Sequence, residues 1–191
     1  MQIRGICLYM ANFQSEWAHF YGSTPPLAFM LRAVAGKPWV RFHALPGSVR
    51  YASTEFEYEE IRRRAIILGT ETLGQNSDCW LVQCQIEQFS KPYWKTLPTP
   101  SDIDLRYRDE DDDFDWVASA SYVLWHEDLF SALLKDIADD RTGPTLWFNR
   151  ASGTIFAPYD GGFDLFLISL ADVNRLRARY SDWLSLEPSG L

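Results

Sequence analysis

Histidine, cysteine and methionine are scarce in this chain, with three of each among 191 residues. His19, His43 and His126 lie far apart and lack the spacing of a metal motif. Cys7, Cys79 and Cys84 are an odd number without a regular framework, which argues against a disulfide-stapled secreted fold. Cys79 and Cys84 are five apart on a candidate strand, so they point to opposite faces and cannot share a metal there. No run approaches the about 18–20 apolar residues of a membrane span. The N-terminal MQIRGICLYMANF is too short and broken for a signal peptide. G-x-S-x-G, Walker A and G-x-G-x-x-G motifs are all missing. These absences lead us to expect a soluble, cytoplasmic protein without metal or cofactor.

Basic residues are also few, 18 against 26 acids, for a net charge of −8. The imbalance is local. Between Pro100 and Trp116 stand eight acids and only Arg106 and Arg108, so this segment carries six of the eight net negative charges. At its centre residues 109–116 read DEDDDFDW. A nucleic-acid binder needs a basic footprint to neutralise phosphates, and this chain has none overall. A basic partner fits better.

What the chain has in plenty is core-forming material: 47% hydrophobic residues, 15% aromatic, and eight tryptophans spread from Trp17 to Trp183. Phe13, Trp17 and Phe20 recur at helical spacing, with Asn12 as a possible cap. Thr24 and Pro25 suit the start of a second helix carrying Leu27, Met30, Leu31 and Val34, stopped at Gly36. WVRFHAL (39–45) reads as a strand. TEFE (54–57) fits a capping box for a helix with Tyr58, Ile61, Ala65 and Leu68 on one face, ending at Gly69 or Gly74. Arg62, Arg63 and Arg64 are expected in solvent. CWLVQCQIEQ (79–88) alternates as a half-buried strand, with Gln83, Gln85 and Glu87 outward. VASASYVLW (117–125) is another strand, and a helix opening at Glu127 and Asp128 carries Leu129, Leu133, Leu134 and Ile137. TLWFN (145–149), TIFA (154–157) and FDLFLIS (163–169) follow, separated by the turn sequences RASG and PYDGG. Ser169 and Asp172 can box a last helix with Val173, Leu176, Tyr180 and Trp183 on its stripe.

The expected fold is a single α+β domain, residues 1–191. It has a mixed or mainly antiparallel sheet of about five to six strands with helices packed on it. Residues 1–36 form an N-terminal helical extension. Residues 89–116, punctuated by prolines and acids, form an insertion loop with one short strand possible around Ile103, Leu105 and Tyr107.

Two sets of residues stand out as candidate sites. The first is the acidic run Asp109, Glu110, Asp111, Asp112, Asp113 and Asp115, with Trp116, Tyr93 and Trp94 as apolar anchors. Packed like charges repel, and a cationic partner would relieve that repulsion. A Ca²⁺ loop is disfavoured, because the run lacks the glycine and the glutamate of an EF-hand. The second is Tyr159, Asp160 and Asp164, two carboxylates beside a turn where acid–base chemistry or ligand binding is possible. A tight turn wants Asp before Gly-Gly, and Asp164 alternates with Phe163 and Leu165, so structural roles compete. Trp39, Arg41 and His43 share one strand face and together could bind an anion.

The stretch IFAPYDGGFDLFLISLADVNRLRARYSDWL (155–184), together with WVRFHALPG and RRRAIILGTETLG, resembles the bacterial domain-of-unknown-function family 3885. The likeness runs over residues 37–187 and implies no particular chemistry. Small acidic orphan proteins of this kind are similar to immunity proteins, which neutralise a cognate toxin. We therefore expect a non-enzymatic protein that binds a basic toxin domain through its acidic surface, with no contact to nucleic acid or membrane. The alternative is a small enzyme or ligand-binding domain using the PYDGGFD turn. The oligomeric state is not legible.

Overall fold

The computed structural model describes residues 13–34, 36–87, 105–109 and 114–184. Helical residues 13–21 belong to α1. The other elements are α2 (Ala28–Ala33), β1 (Trp39–His43), α3 (Glu55–Leu73), β2 (Asp78–Ile86), β3 (Leu105–Asp109) and β4 (Phe114–Leu124), followed by α4 (Ser131–Ala138), β5 (Thr145–Asn149), β6 (Ile155–Tyr159), β7 (Gly162–Phe166) and α5 (Leu170–Arg179). The seven strands pair in the order β1-β7-β6-β5-β2-β4-β3. Every pairing is antiparallel. The α+β class is as expected, with one or two more strands and, among the described residues, no parallel pair.

Helices cover both faces of this sheet. One face, with Phe42, Leu81, Trp147, Phe156 and Leu165, packs against Ile61 and Leu68 of α3, Leu133, Leu134 and Ile137 of α4 and Val173 and Leu176 of α5. The other face, with Trp80, Val82, Leu146, Phe148 and Ile155, packs against Phe13, Trp17, Leu27 and Leu31. The two-sided cover corrects the reading of β2 as half-buried: from Cys79 to Cys84 every residue is buried. Gln83 is 1% exposed and donates to Thr145 Oγ1 at 3.2 Å. Alternation cannot distinguish a solvated face from a second covered one when polar residues find partners inside.

Local chemistry sets most element ends. The Thr54 side chain accepts from Glu57 N–H while the Glu57 carboxylate accepts from Thr54 N–H, closing the capping box of α3. Ser169 caps α5 by accepting from Asp172 N–H, but the expected box does not close: the Asp172 carboxylate accepts from the Ser169 hydroxyl instead of its backbone N–H. Asn149 Oδ1 accepts from the N–H groups of Ala151 and Ser152 and closes the β5–β6 turn.

Three expectations need correction. Helix α2 begins at Ala28, not at Pro25, and Leu27 precedes it in extended conformation with no side-chain cap. Pro25 is followed by Pro26, and a residue before proline is pushed out of the helical region. Arg64 is not solvated but 3% exposed; it donates to Glu60 and to the His43 carbonyl, and its guanidinium lies over Trp183. Leu129 precedes α4 and is 64% exposed rather than on its buried stripe.

Helix α1 is tied to the sheet through one carboxylate. Glu16 accepts from Trp80 Nε1 at 2.7 Å and from Arg150 at 2.8 and 2.6 Å. The hydrogen bond from Arg150 in particular holds the Glu16 carboxyl below its usual range, against the opposing effect of burial. A lowered folded value means this stabilisation is complete above the ordinary glutamate value and fades as pH falls through the folded one. Glu16→Gln should therefore destabilise the protein at neutral pH, and the gap to wild type should close under acid. Urea unfolding at about pH 7 and about pH 3 tests this.

Gly69 sits inside α3, where a Cβ would lie 2.2 Å from the Trp125 ring. Helix propensity favours Gly69→Ala by about 1 kcal/mol, but over-packing costs about 1–3 kcal/mol. A net loss of up to about 2 kcal/mol is expected in denaturant unfolding.

Candidate functional site: an arginine cleft and an acidic hairpin

Strands β1 and β7 pair with Arg41 opposite Asp164. The alternation that buries Phe42, Phe163 and Leu165 on one face sends Arg41 and Asp164 to the other. There the guanidinium clasps the carboxylate at both oxygens, Nε to Oδ1 at 2.8 Å and Nη2 to Oδ2 at 2.9 Å. The Arg41 guanidinium also lies 5.7 Å from the Trp39 ring centre and 4.7 Å from that of Tyr159. The Asp164 side chain is 3% exposed.

A second arginine approaches from α2. Arg32 Nε stands 3.6 Å from Asp164 Oδ2. Its guanidinium lies 5.8 Å from the Trp39 ring centre, so both arginines approach the Trp39 ring. These groups border a cleft of about 400 Å³ between α2, the 140–146 segment and the ends of β6 and β7. Phe29, Leu146, Ala157 and Pro158 supply apolar wall, and Thr142 and Tyr159 supply hydroxyls. Burial pushes the Tyr159 phenol up to about 12, so at neutral pH it keeps its proton and can donate.

All three residues of the second candidate set, Tyr159, Asp160 and Asp164, line this cleft. Asp160 begins the two-residue turn between the paired Tyr159 and Gly162. Its Oδ2 accepts from Arg50 Nε at 2.7 Å and from Tyr51 OH at 2.8 Å. Gly162 is required by close approach, since a Cβ there would lie 2.3 Å from the Phe42 carbonyl oxygen. Both carboxylates are thus engaged by arginine donors, Asp164 by Arg41 and Asp160 by Arg50. His43, on the same strand face as Arg41, is held below its usual value by burial and by the charges of Arg41 and Arg64, and stays neutral near pH 7.

The acidic set falls on the hairpin at the far edge of the sheet. Asp109 ends β3 and pairs with Phe114, which begins β4. Glu110, Asp111, Asp112 and Asp113 link the two strands and lie outside the described residues, as do Tyr93 and Trp94. Asp109 is not a surface acid: it is 6% exposed, because it falls on the same strand side as buried Leu105. Asp115 pairs across the hairpin with Arg108 at 2.9 Å. Trp116 is not a free anchor; it packs against the α1–α2 side of the core, 6.0 Å from Phe29 between ring centres. Phe114 is 38% exposed.

Cys79 and Cys84 are buried on opposite faces, and burial raises both thiols above their ordinary range. Cys7 lies outside the described residues. Among the described residues no group of three or more His, Cys, Asp or Glu side chains could hold a metal ion. Nor is any helix there long and apolar enough to cross a membrane.

A model of the family described as "Domain of unknown function (DUF3885)" matches residues 27–188. The chain belongs to this family. The match begins ten residues before the expected position 37, so α2 and Arg32 fall within the DUF3885 region. No curated protein and no solved structure matches the chain.

Sequence reasoning found Arg41, Trp39, Tyr159, Asp160 and Asp164 but as separate candidates. It missed Arg32, Arg50 and Tyr51. The β1–β7 register would have joined Arg41 to Asp164, but the two strands are separated by most of the chain. Nothing local marks Arg32.

The Asp160 contacts tie the segment after β1 to the β6–β7 turn. Replacing Arg50 by Ala together with Tyr51 by Phe removes both donors and leaves the turn intact. Amide exchange should speed up across residues 46–52 and stay unchanged in β6 and β7. Exchange read by mass spectrometry checks this, and equal rates in both proteins would count against the latch.

Proposed function

We propose that this protein is a non-catalytic binding protein whose partner is a basic protein surface, and that it acts as an immunity protein against a toxin domain. The observation that carries this reading is the join between charge and topology. A segment with six of the eight net negative charges includes the connection of an edge hairpin, where Asp109 pairs with Phe114. The edge of a sheet is the part a second macromolecule reaches first. Concentrated like charge speeds encounter with an opposite surface and makes it sensitive to salt. Exposed Phe114 supplies apolar contact beside the acids. The arginine engagement of Asp160 and Asp164 argues against the acid–base alternative, although the cleft they line favours ligand binding.

The test uses tagged wild-type chain and a variant carrying E110Q, D111N, D112N and D113N as baits in host lysate at low and moderate salt. One stoichiometric basic protein should be retained by wild type at low salt, weakened by salt, and lost from the variant. Co-expression with wild type, but not with the variant, should then relieve growth arrest caused by that protein. A partner held equally by both baits at every salt concentration would overturn the acidic-surface mechanism.

A further inference from the structure

The cleft beside α2 contains a charge imbalance that the protein–protein reading does not use. Asp164 is one carboxylate facing two guanidinium groups. Arg41 takes both of its oxygens at hydrogen-bonding distance. Arg32 is left with a 3.6 Å approach to an oxygen already occupied. Its Nε is buried without a hydrogen-bond partner among the described residues, and its side chain is 25% exposed. A guanidinium carries five donors and does not lose its charge. Leaving such a donor dry and unpaired is costly, whereas an oxyanion opposite it gives a strong charge-assisted bond.

The geometry points to a binding site for a small organic carboxylate, held by Arg32 and with its apolar body in the cleft. Three features define the class. Arg41, held by Asp164 and by the Trp39 and Tyr159 rings, offsets the Asp164 carboxylate, so the Arg32 charge has no counter-charge left within the cluster. Phe29, Leu146 and Ala157 offer wall for a compact apolar group, and the protonated Tyr159 hydroxyl is a further donor. Asp140 and Asp160 also border the cleft. Asp160 is neutralised by Arg50, so Asp140 is the carboxylate that a polyphosphate would face across the cleft. A single negative charge matches the one surplus cation of the Arg32–Arg41–Asp164 cluster; a highly charged anion does not.

The experiment titrates the full chain with benzoate, 3-methylbutanoate and inorganic phosphate at constant ionic strength, read by calorimetry and by shift of the thermal midpoint. Wild type should bind one equivalent of a carboxylate probe, and Arg32→Gln should weaken it at least about tenfold, the loss of one charged hydrogen-bond donor. Arg32→Lys keeps the charge without the fork and should bind with intermediate affinity. Without probe, Arg32→Gln should unfold at about the same denaturant concentration as wild type, because the partly exposed 3.6 Å approach to Asp164 adds little and no hydrogen bond of Nε is lost. Absence of carboxylate binding to wild type, equal binding to Arg32→Gln, or preference for phosphate over both carboxylates would each overturn the assignment. A clear loss of stability in Arg32→Gln would overturn it too, by showing that Arg32 is already satisfied in the fold.

Discussion

The functional face of this molecule depends on the clasp between Arg41 and Asp164. Both sit on strands whose other faces are fully apolar, so the pair lies where water is scarce and neither charge can be left alone. A bidentate guanidinium–carboxylate pair is directional, so it sets the register of β1 against β7 as well as neutralising both groups. Removing one member strands the other, which is the expensive half of any buried ion pair. Trp39 and Tyr159 close over the guanidinium from two sides. The cleft, the turn at Asp160 and the approach of α2 are all arranged around this fixed point.

The sheet separates two kinds of site. The acidic run of the sequence spans the connection from β3 to β4, and β3 is the strand farthest from β1 in the sheet order. The arginine cleft lies toward the β1–β7–β6 end, lined by Arg41, Asp164 and Tyr159. A long-range field and a short-range pocket can thus operate without sharing residues. The steering surface is screened by salt, whereas a buried guanidinium is screened far less. Under the proposed function, this separation would let one chain meet a large basic surface and a small anion independently.

Local signals in the sequence were read well because their causes are local. The capping box at Thr54, the side-chain cap at Ser169 and the turn residues around Asn149 and Asp160 depend on neighbours a few residues away. Burial depended on tertiary context and was read less well. Gln83 alternates like a solvated residue but is 1% exposed and donates to Thr145 on the neighbouring strand. Arg64 sits in a run of three arginines, and only the fold selects it for the interior through Glu60 and the His43 carbonyl. The cleft required β1 beside β7 and α2 across their shared face, contacts that no window of sequence contains. The expectation that Trp116 anchors a partner gave way for the same reason, since Phe29 of α2 meets it from the other end of the chain.

The most direct measurement is a double-mutant cycle between Arg41 and Asp164, using Arg41→Gln, Asp164→Asn and the pair together in urea unfolding. The account predicts that each single variant is destabilised and that the double variant recovers part of the loss, with a coupling energy above about 1 kcal/mol. Additivity of the two single losses to within about 0.5 kcal/mol would contradict it, because the pair would then not be the point on which the cleft is built.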